Sequence, residues 1–182
     1  MPEWDDREIL QGIKIPGKEE IAFNRLVQKY QERLYWHIRK IVIVHDDADD
    51  VLQNTLVKVW KSLPGFRSDS GLYTWLYRIA TNEALTFLKR KKKRTFAPWV
   101  EVERKMSETL ESDPWFNGDE IQYKLQQAIL KLPDKQRIVF NMKYFDEVKY
   151  EDMAVILDTS VGALKASYHH AVKKIEAMLG ED

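Results

Sequence analysis

Residues 150–179, YEDMAVILDTSVGALKASYHHAVKKIEAML, decide how the whole chain is read. Met153, Ile156 and Leu157 form a short apolar face at helical spacing, and Asp158-Thr159 interrupts it. Ser160 is a residue type that caps a helix N-terminus, and the next helix repeats an apolar stripe at Val161, Leu164, Tyr168, Ala171 and Ile175. Small Ala154 stands ten residues before Leu164, where two steeply crossing helices need a small side chain at closest approach. This is helix-turn-helix spacing. Asp158 holds the turn position usually given to glycine, and aspartate tolerates a left-handed backbone better than most residues. Helical hairpins that bind nothing share this pattern, so it points to DNA without identifying a function.

Working upstream, helical periodicity recurs. Val27, Tyr30, Leu34, Ile38 and Ile41 mark one buried stripe, and Leu52, Leu56, Val59 and Leu63 a second. The second begins after Asp46, Asp47, Asp49 and Asp50, carboxylates suited to a helix N-terminus, and ends at Pro64-Gly65. A third helix runs from about Leu72 through Leu76, Ile79, Ala80 and Ala84 to Leu88, followed by six consecutive cations, Lys89 to Arg94. Residues 95–120 show no sustained period and contain Pro98, Trp99, Pro114, Trp115 and Gly118, which reads as a linker. Beyond it, Ile121, Leu125, Ile129 and Leu132 share one face up to Pro133, and Ile138, Val139 and Met142 belong to another helix. No strand-like alternation persists. The expected fold is all-α, with two small helical domains, 1–94 and 121–182, joined by an acidic flexible linker over 95–120.

Composition narrows the function. At 182 residues, 44% apolar and 32% charged, the chain is globular. It has no cysteine, which excludes disulfides and thiolate metal sites and suits a reducing cytosol. The N-terminal stretch MPEWDDREILQG is acidic and mixed, unlike a secretory leader, and no segment reaches the apolar length of a membrane span. A soluble, cytoplasmic protein is expected. The net charge of zero conceals blocks: 18 basic and 13 acidic side chains in 1–94, 2 and 7 in 95–120, and 9 and 9 in 121–182. A basic half followed by an acidic connector suggests a partner that is itself patterned in charge.

Catalytic and metal chemistry find little support. The carboxylates around His45 lack the alternate spacing, the glycine and the terminal glutamate of a calcium loop, so they read as a helix start facing water or a basic partner. The glycines are scattered, and His37, His45, His169 and His170 have no supporting nucleophile or ligand at useful spacing. No enzyme activity, cofactor or metal is expected.

Four segments in order, DDADDVLQNTLVKVWKSLPGF, TWLYRIATNEALTFLKRKKKR, LPDKQRIVF and SVGALKASYHHAVKKI, resemble bacterial sigma-70-type initiation factors of the two-domain extracytoplasmic-function class. The resemblance implies that Asp47, Asp50, Val51, Gln53, Asn54, Leu56 and Trp60 dock on the clamp of the largest subunit of core RNA polymerase. It implies that Phe66, Arg67, Ser68, Asp69, Ser70, Trp75, Arg78 and Asn82 capture a base flipped from the minus-10 element. Lys89, Arg90, Lys91, Lys92, Lys93 and Arg94 would then hold phosphates of the upstream duplex. In the second domain, Ser160, Val161, Gly162, Ala163, Lys165, Ala166, Ser167, His169, His170, Lys173 and Lys174 would meet the minus-35 element. Ser167, His170 and Val172 depart from the arginines common there, which implies fewer strong interactions with guanine or phosphate. The implied partners are core polymerase at its clamp and flap, promoter DNA and an anti-sigma factor, with no membrane insertion. The other readings are an autonomous helix-turn-helix regulator and a protein-interaction module that never directs initiation.

Overall fold

An Asp5–Glu8 capping box starts the first helix: Glu8 N–H donates to Asp5 Oδ1 at 2.8 Å, and Asp5 N–H donates to Glu8 Oε2 at 2.8 Å. This helix, α1 (Asp6–Ile13), is the first of nine α-helices among the residues that the computed structural model describes, 4–94, 99–114 and 119–180, with 99–103 as backbone only. It lies against α2 (Glu19–Val42), and a Cβ at Gly12 would stand 2.8 Å from Ala22 Cβ, so the close crossing needs glycine. The mixed N-terminal stretch thus hides a capping signature in its acidic residues.

Three long helices make the first domain: α2, α3 (His45–Ser62) and α4 (Leu72–Arg94). Leu26, Leu34, Ile38, Val51, Val59, Leu76 and Ala84 are all nearly fully buried between them. Each large aliphatic side chain removed from water there contributes about 1.5–3 kcal/mol. The buried stripe of α3 is Ala48, Val51, Thr55 and Val59, with Leu63 after it, one position away from the expected Leu52 and Leu56, which lie at its edge. Thr55 is tolerated inside because its hydroxyl donates to Val51 O at 2.7 Å.

The stretch expected to be a linker contains a helix, α5 (Trp99–Ser112). Met106 and Leu110 are four residues apart and buried against Ile43, Leu130 and Tyr123, so α5 packs on both domains. Its apolar period is obscured by the glutamates and lysine around these residues. Pro98, Trp115 and Gly118, the expected linker punctuation, lie outside the described residues.

The second domain comprises α6 (Glu120–Leu130), α7 (Asp134–Tyr144), α8 (Tyr150–Leu157) and α9 (Val161–Gly180). Ala128, Ile129, Leu132, Phe140, Ala171 and Ile175 form its own core. Ile138, Val139, Met142, Met153, Ile156 and Leu164 are continuous with the core of the first domain, so α7 rests on α2 and α8 on α4. The α8–α9 turn has the expected form: Asp158 adopts φ 50° and ψ 54°, and Ser160 Oγ accepts from Ala163 N–H at 3.1 Å.

Candidate polymerase and nucleic-acid interfaces

The outward face of α3 combines acid, amide and apolar groups. Asp50, Gln53 and Asn54 are exposed, Leu56 is half-buried, and Trp60 is 40% exposed with its ring edge-on to Phe23 at 4.9 Å. Val57, 47% exposed, belongs to the same face; sequence reasoning misses it because an apolar side chain in a helix reads as core. Val51 departs from expectation: it is 1% exposed inside the core, so it supports the helix and presents nothing to a partner. Asp47 is also more internal than expected, paired with Lys91 of α4.

A short 3₁₀ turn, Leu63–Gly65, and the loop after it lead into α4 and leave a cavity of about 380 Å³. Phe66 and Trp75 make its aromatic wall, ring centroids 5.0 Å apart and tilted by 49°. Arg67, Asp69, Ser70 and Arg78 supply its polar rim, with Arg67 and Asp69 paired at 3.1 Å in full solvent. Ser68 turns the loop with φ 60°. Asn82 is exposed one turn beyond Arg78, on the same side of α4 but outside the cavity lining. Aromatic stacking surface beside hydrogen-bonding groups is what an extruded base requires. One lining residue comes from elsewhere: Val155 of α8.

At the other end of α4, Leu88 anchors the helix in the core and the cations divide. Lys89, Arg90, Lys93 and Arg94 are exposed, whereas Lys91 and Lys92 are half-buried, Lys91 with Asp47 and Lys92 with Asp134 of α7 at 2.7 Å. On α9, Gly162, Ala163, Lys165, Ala166, His169, His170, Lys173 and Lys174 are exposed. Val161 and Ser167 are half-buried; Ser167 and Ala163 border a cavity of about 330 Å³ whose opposite side includes Leu85 of α4.

At the C-terminal end of α2 the two domains meet through polar groups. Arg137 Nη2 donates to Ile41 O at 3.3 Å and Asn141 Nδ2 to Lys40 O at 3.4 Å, so side chains of α7 satisfy carbonyls that the ending helix leaves open. Asp146 pairs with Lys40, and its other oxygen lies 3.4 Å from His37 Nδ1. Burial pushes the Asp146 carboxyl up, but His37 and Lys40 outweigh it and hold the group below the usual carboxylate range. Burial, then the adjacent Tyr73, pushes the Tyr77 hydroxyl up. Just past α2, Ile43 sits at φ 67°, an unfavourable conformation for a β-branched residue, held by its packing against Met106, Leu110 and Leu130.

The chain matches the family model of sigma-70 region 2 over residues 26–94 and that of sigma-70 region 4 over residues 122–175. It is 30% identical to the RNA polymerase sigma-H factor of Pseudomonas aeruginosa, over 96% of this chain and 93% of that one. It is also 30% identical to the ECF RNA polymerase sigma-E factor of Escherichia coli K12, over 90% and 89%. Among solved structures, it resembles CnrH in complex with the cytosolic domain of CnrY, with a TM-score of 0.70 and 24% identity over 97% of this chain and 98% of that one. The sigma factor RpoE of Bartonella quintana, in complex with the anti-sigma factor NepR, aligns with a TM-score of 0.66 and 20% identity over 88% and 98%. At these identities the structural likenesses speak for the fold.

Proposed function

The chain belongs to the sigma-70 family, among its extracytoplasmic-function members, and we propose a division of its work between four surfaces. It is a sigma factor that binds core RNA polymerase and directs promoter recognition and initiation. In this reading Asp50, Gln53, Asn54, Leu56, Val57 and Trp60 dock α3 on the polymerase clamp. The cavity of Phe66, Trp75 and Arg78 takes a base flipped from the minus-10 element. The cationic end of α4 holds the upstream duplex, and the exposed side of α9 reads the minus-35 element. The protein works in the cytoplasm as a specificity subunit rather than as an enzyme, and its partners include an anti-sigma factor, as the RpoE it resembles is in complex with the anti-sigma factor NepR.

The observation that carries this reading is the layout of α4. One continuous helix bears the aromatic cavity near its start and the cations at its end. From Trp75 to Arg94 it rises roughly 28 Å at 1.5 Å per residue. That is about eight base-pair steps of 3.4 Å, so one rigid element can grip duplex while holding an unpaired base downstream. An autonomous helix-turn-helix regulator would leave this arrangement without work.

Run-off transcription with purified core polymerase on genomic fragments tests the function. Discrete transcripts that need both the chain and core polymerase are expected, together with weak duplex binding by the chain alone at physiological salt. Sub-nanomolar operator binding without polymerase, and no transcripts with it, would overturn the reading in favour of an autonomous regulator.

A further inference from the structure

We propose that the cavity between α4, α7, α8 and α9 binds a small zwitterion, a free α-amino acid with an aliphatic side chain. This goes beyond the functions assigned above, and its test needs neither polymerase nor DNA. The cavity holds about 330 Å³, at the lower end of the roughly 300–1,000 Å³ that small-molecule sites occupy. Its apolar lining comes from four helices: Leu85 of α4, Ile138 and Val139 of α7, Leu157 of α8 and Leu164 of α9. Ile138, Val139 and Leu164 are nearly fully buried, and Leu85 and Leu157 are half-buried. Protein interiors pack like organic crystals and hold few hollows larger than a water molecule. A hollow lined by five aliphatic side chains forfeits dispersion contacts that an apolar occupant restores.

The mouth supplies charge of both signs. Lys135, in the first turn of α7, and Asp158, in the α8–α9 turn, are exposed at the rim. Among the described residues, neither side chain makes an ion pair or a hydrogen bond, with the other or with anything else. The hydroxyls of Thr159 and Ser167 border the same space and are likewise without a partner among the described residues. Nearby cations that have an acid within reach take it: Lys91 pairs with Asp47 and Lys92 with Asp134.

This pattern selects the ligand class. A fatty acid would satisfy Lys135 but set a carboxylate beside Asp158, and a simple amine would satisfy Asp158 but set an ammonium beside Lys135. A molecule that carries both charges on one carbon, with an aliphatic chain attached, meets every group. Lys135 and the two hydroxyls take its carboxylate through charge-assisted hydrogen bonds, and Asp158 takes its ammonium. The chain lies on the aliphatic floor.

Titration of the full chain with L-leucine, followed through the methyl resonances of Ile138, Val139 and Leu164, tests the site. Saturable shifts centred on these methyls are expected, with a dissociation constant of about 1 mM or tighter for a ligand of roughly nine non-hydrogen atoms. Glycine lacks the chain, 4-methylpentanoate the ammonium and isopentylamine the carboxylate, so each should bind at least about tenfold more weakly than leucine. Lys135→Ala should weaken leucine binding about tenfold and leave isopentylamine unchanged. Asp158→Asn keeps a residue type that tolerates the left-handed turn; it should weaken leucine to a similar degree and leave 4-methylpentanoate no weaker. Both positions are exposed, so the circular dichroism of the two variants should match that of the parent chain. No saturable shifts with leucine well above about 1 mM would overturn the proposal. So would 4-methylpentanoate or isopentylamine binding as tightly as leucine, or a leucine affinity that either substitution leaves unmoved.

Discussion

Trp75 sits where the loop meets α4, half-buried and tilted against Phe66, so it can offer a ring face to a base without losing its anchorage. Replacing it by alanine is expected to shorten the lifetime of open complexes by the loss of one stacked base, about 1–3 kcal/mol. Co-purification with core polymerase should be unchanged; a loss of both would mean that Trp75 is a structural residue of the loop. At this scale the sequence is most legible where local chemistry decides. Ser160 and Asp158 behave as their residue types require, one capping and the other left-handed, because both effects act within a few residues. Val51 and Asp47 are harder to place, since their surroundings come from other helices: Val51 is covered by the packed core and Asp47 meets Lys91 from 44 positions away.

The helices themselves follow from periodicity, but the exact face each one buries does not. On α3, Val51, Thr55 and Val59 face the core while Leu52 and Leu56 lie at its edge, and Thr55 is tolerated inside because its hydroxyl returns to Val51 O. Leu56 and Val57 are left on the outward side with Trp60, so the face proposed to dock on polymerase is built from residues that look like core. The carboxylates of α3 separate into two roles that charge reversal distinguishes. Asp50→Lys changes an exposed helix start at a cost of about 1 kcal/mol or less, so circular dichroism and melting should barely move while polymerase co-purification falls. Asp47→Lys places a cation beside Lys91 and should lower stability as well. Unchanged polymerase binding with Asp50→Lys would return that carboxylate to a helix N-terminal charge. The α5 helix is hard to see in the sequence although Trp99, Val102, Met106 and Leu110 recur at spacings of three and four, because they stand among charged residues in a short stretch bounded by Pro98 and Pro114.

For the whole molecule, an all-α chain is legible from the repeated helical spacing and the absence of strand-like alternation. The docking of its two halves is not, because Arg137, Asn141 and Asp146 acquire meaning only when they meet the end of α2, about a hundred residues earlier. Polar residues in α7 and its following turn read as surface until their partners are known. The proposed function separates sequence-blind grip from sequence reading: it assigns phosphates to Lys89, Arg90 and Lys93 on α4 and base edges to Lys165 on α9, all of them exposed. The most direct measurement is open-complex formation by reconstituted holoenzyme on a panel of minus-35 variants at several salt concentrations. Alanine at Lys89, Arg90 and Lys93 together should weaken all promoters alike and flatten the salt dependence by about 0.9 for each phosphate no longer neutralised. Lys165→Ala should instead reorder the variants, by about 1–3 kcal/mol at the affected position. A triple variant that changes neither affinity nor salt slope, with a Lys165→Ala variant that leaves the ranking intact, would contradict the account.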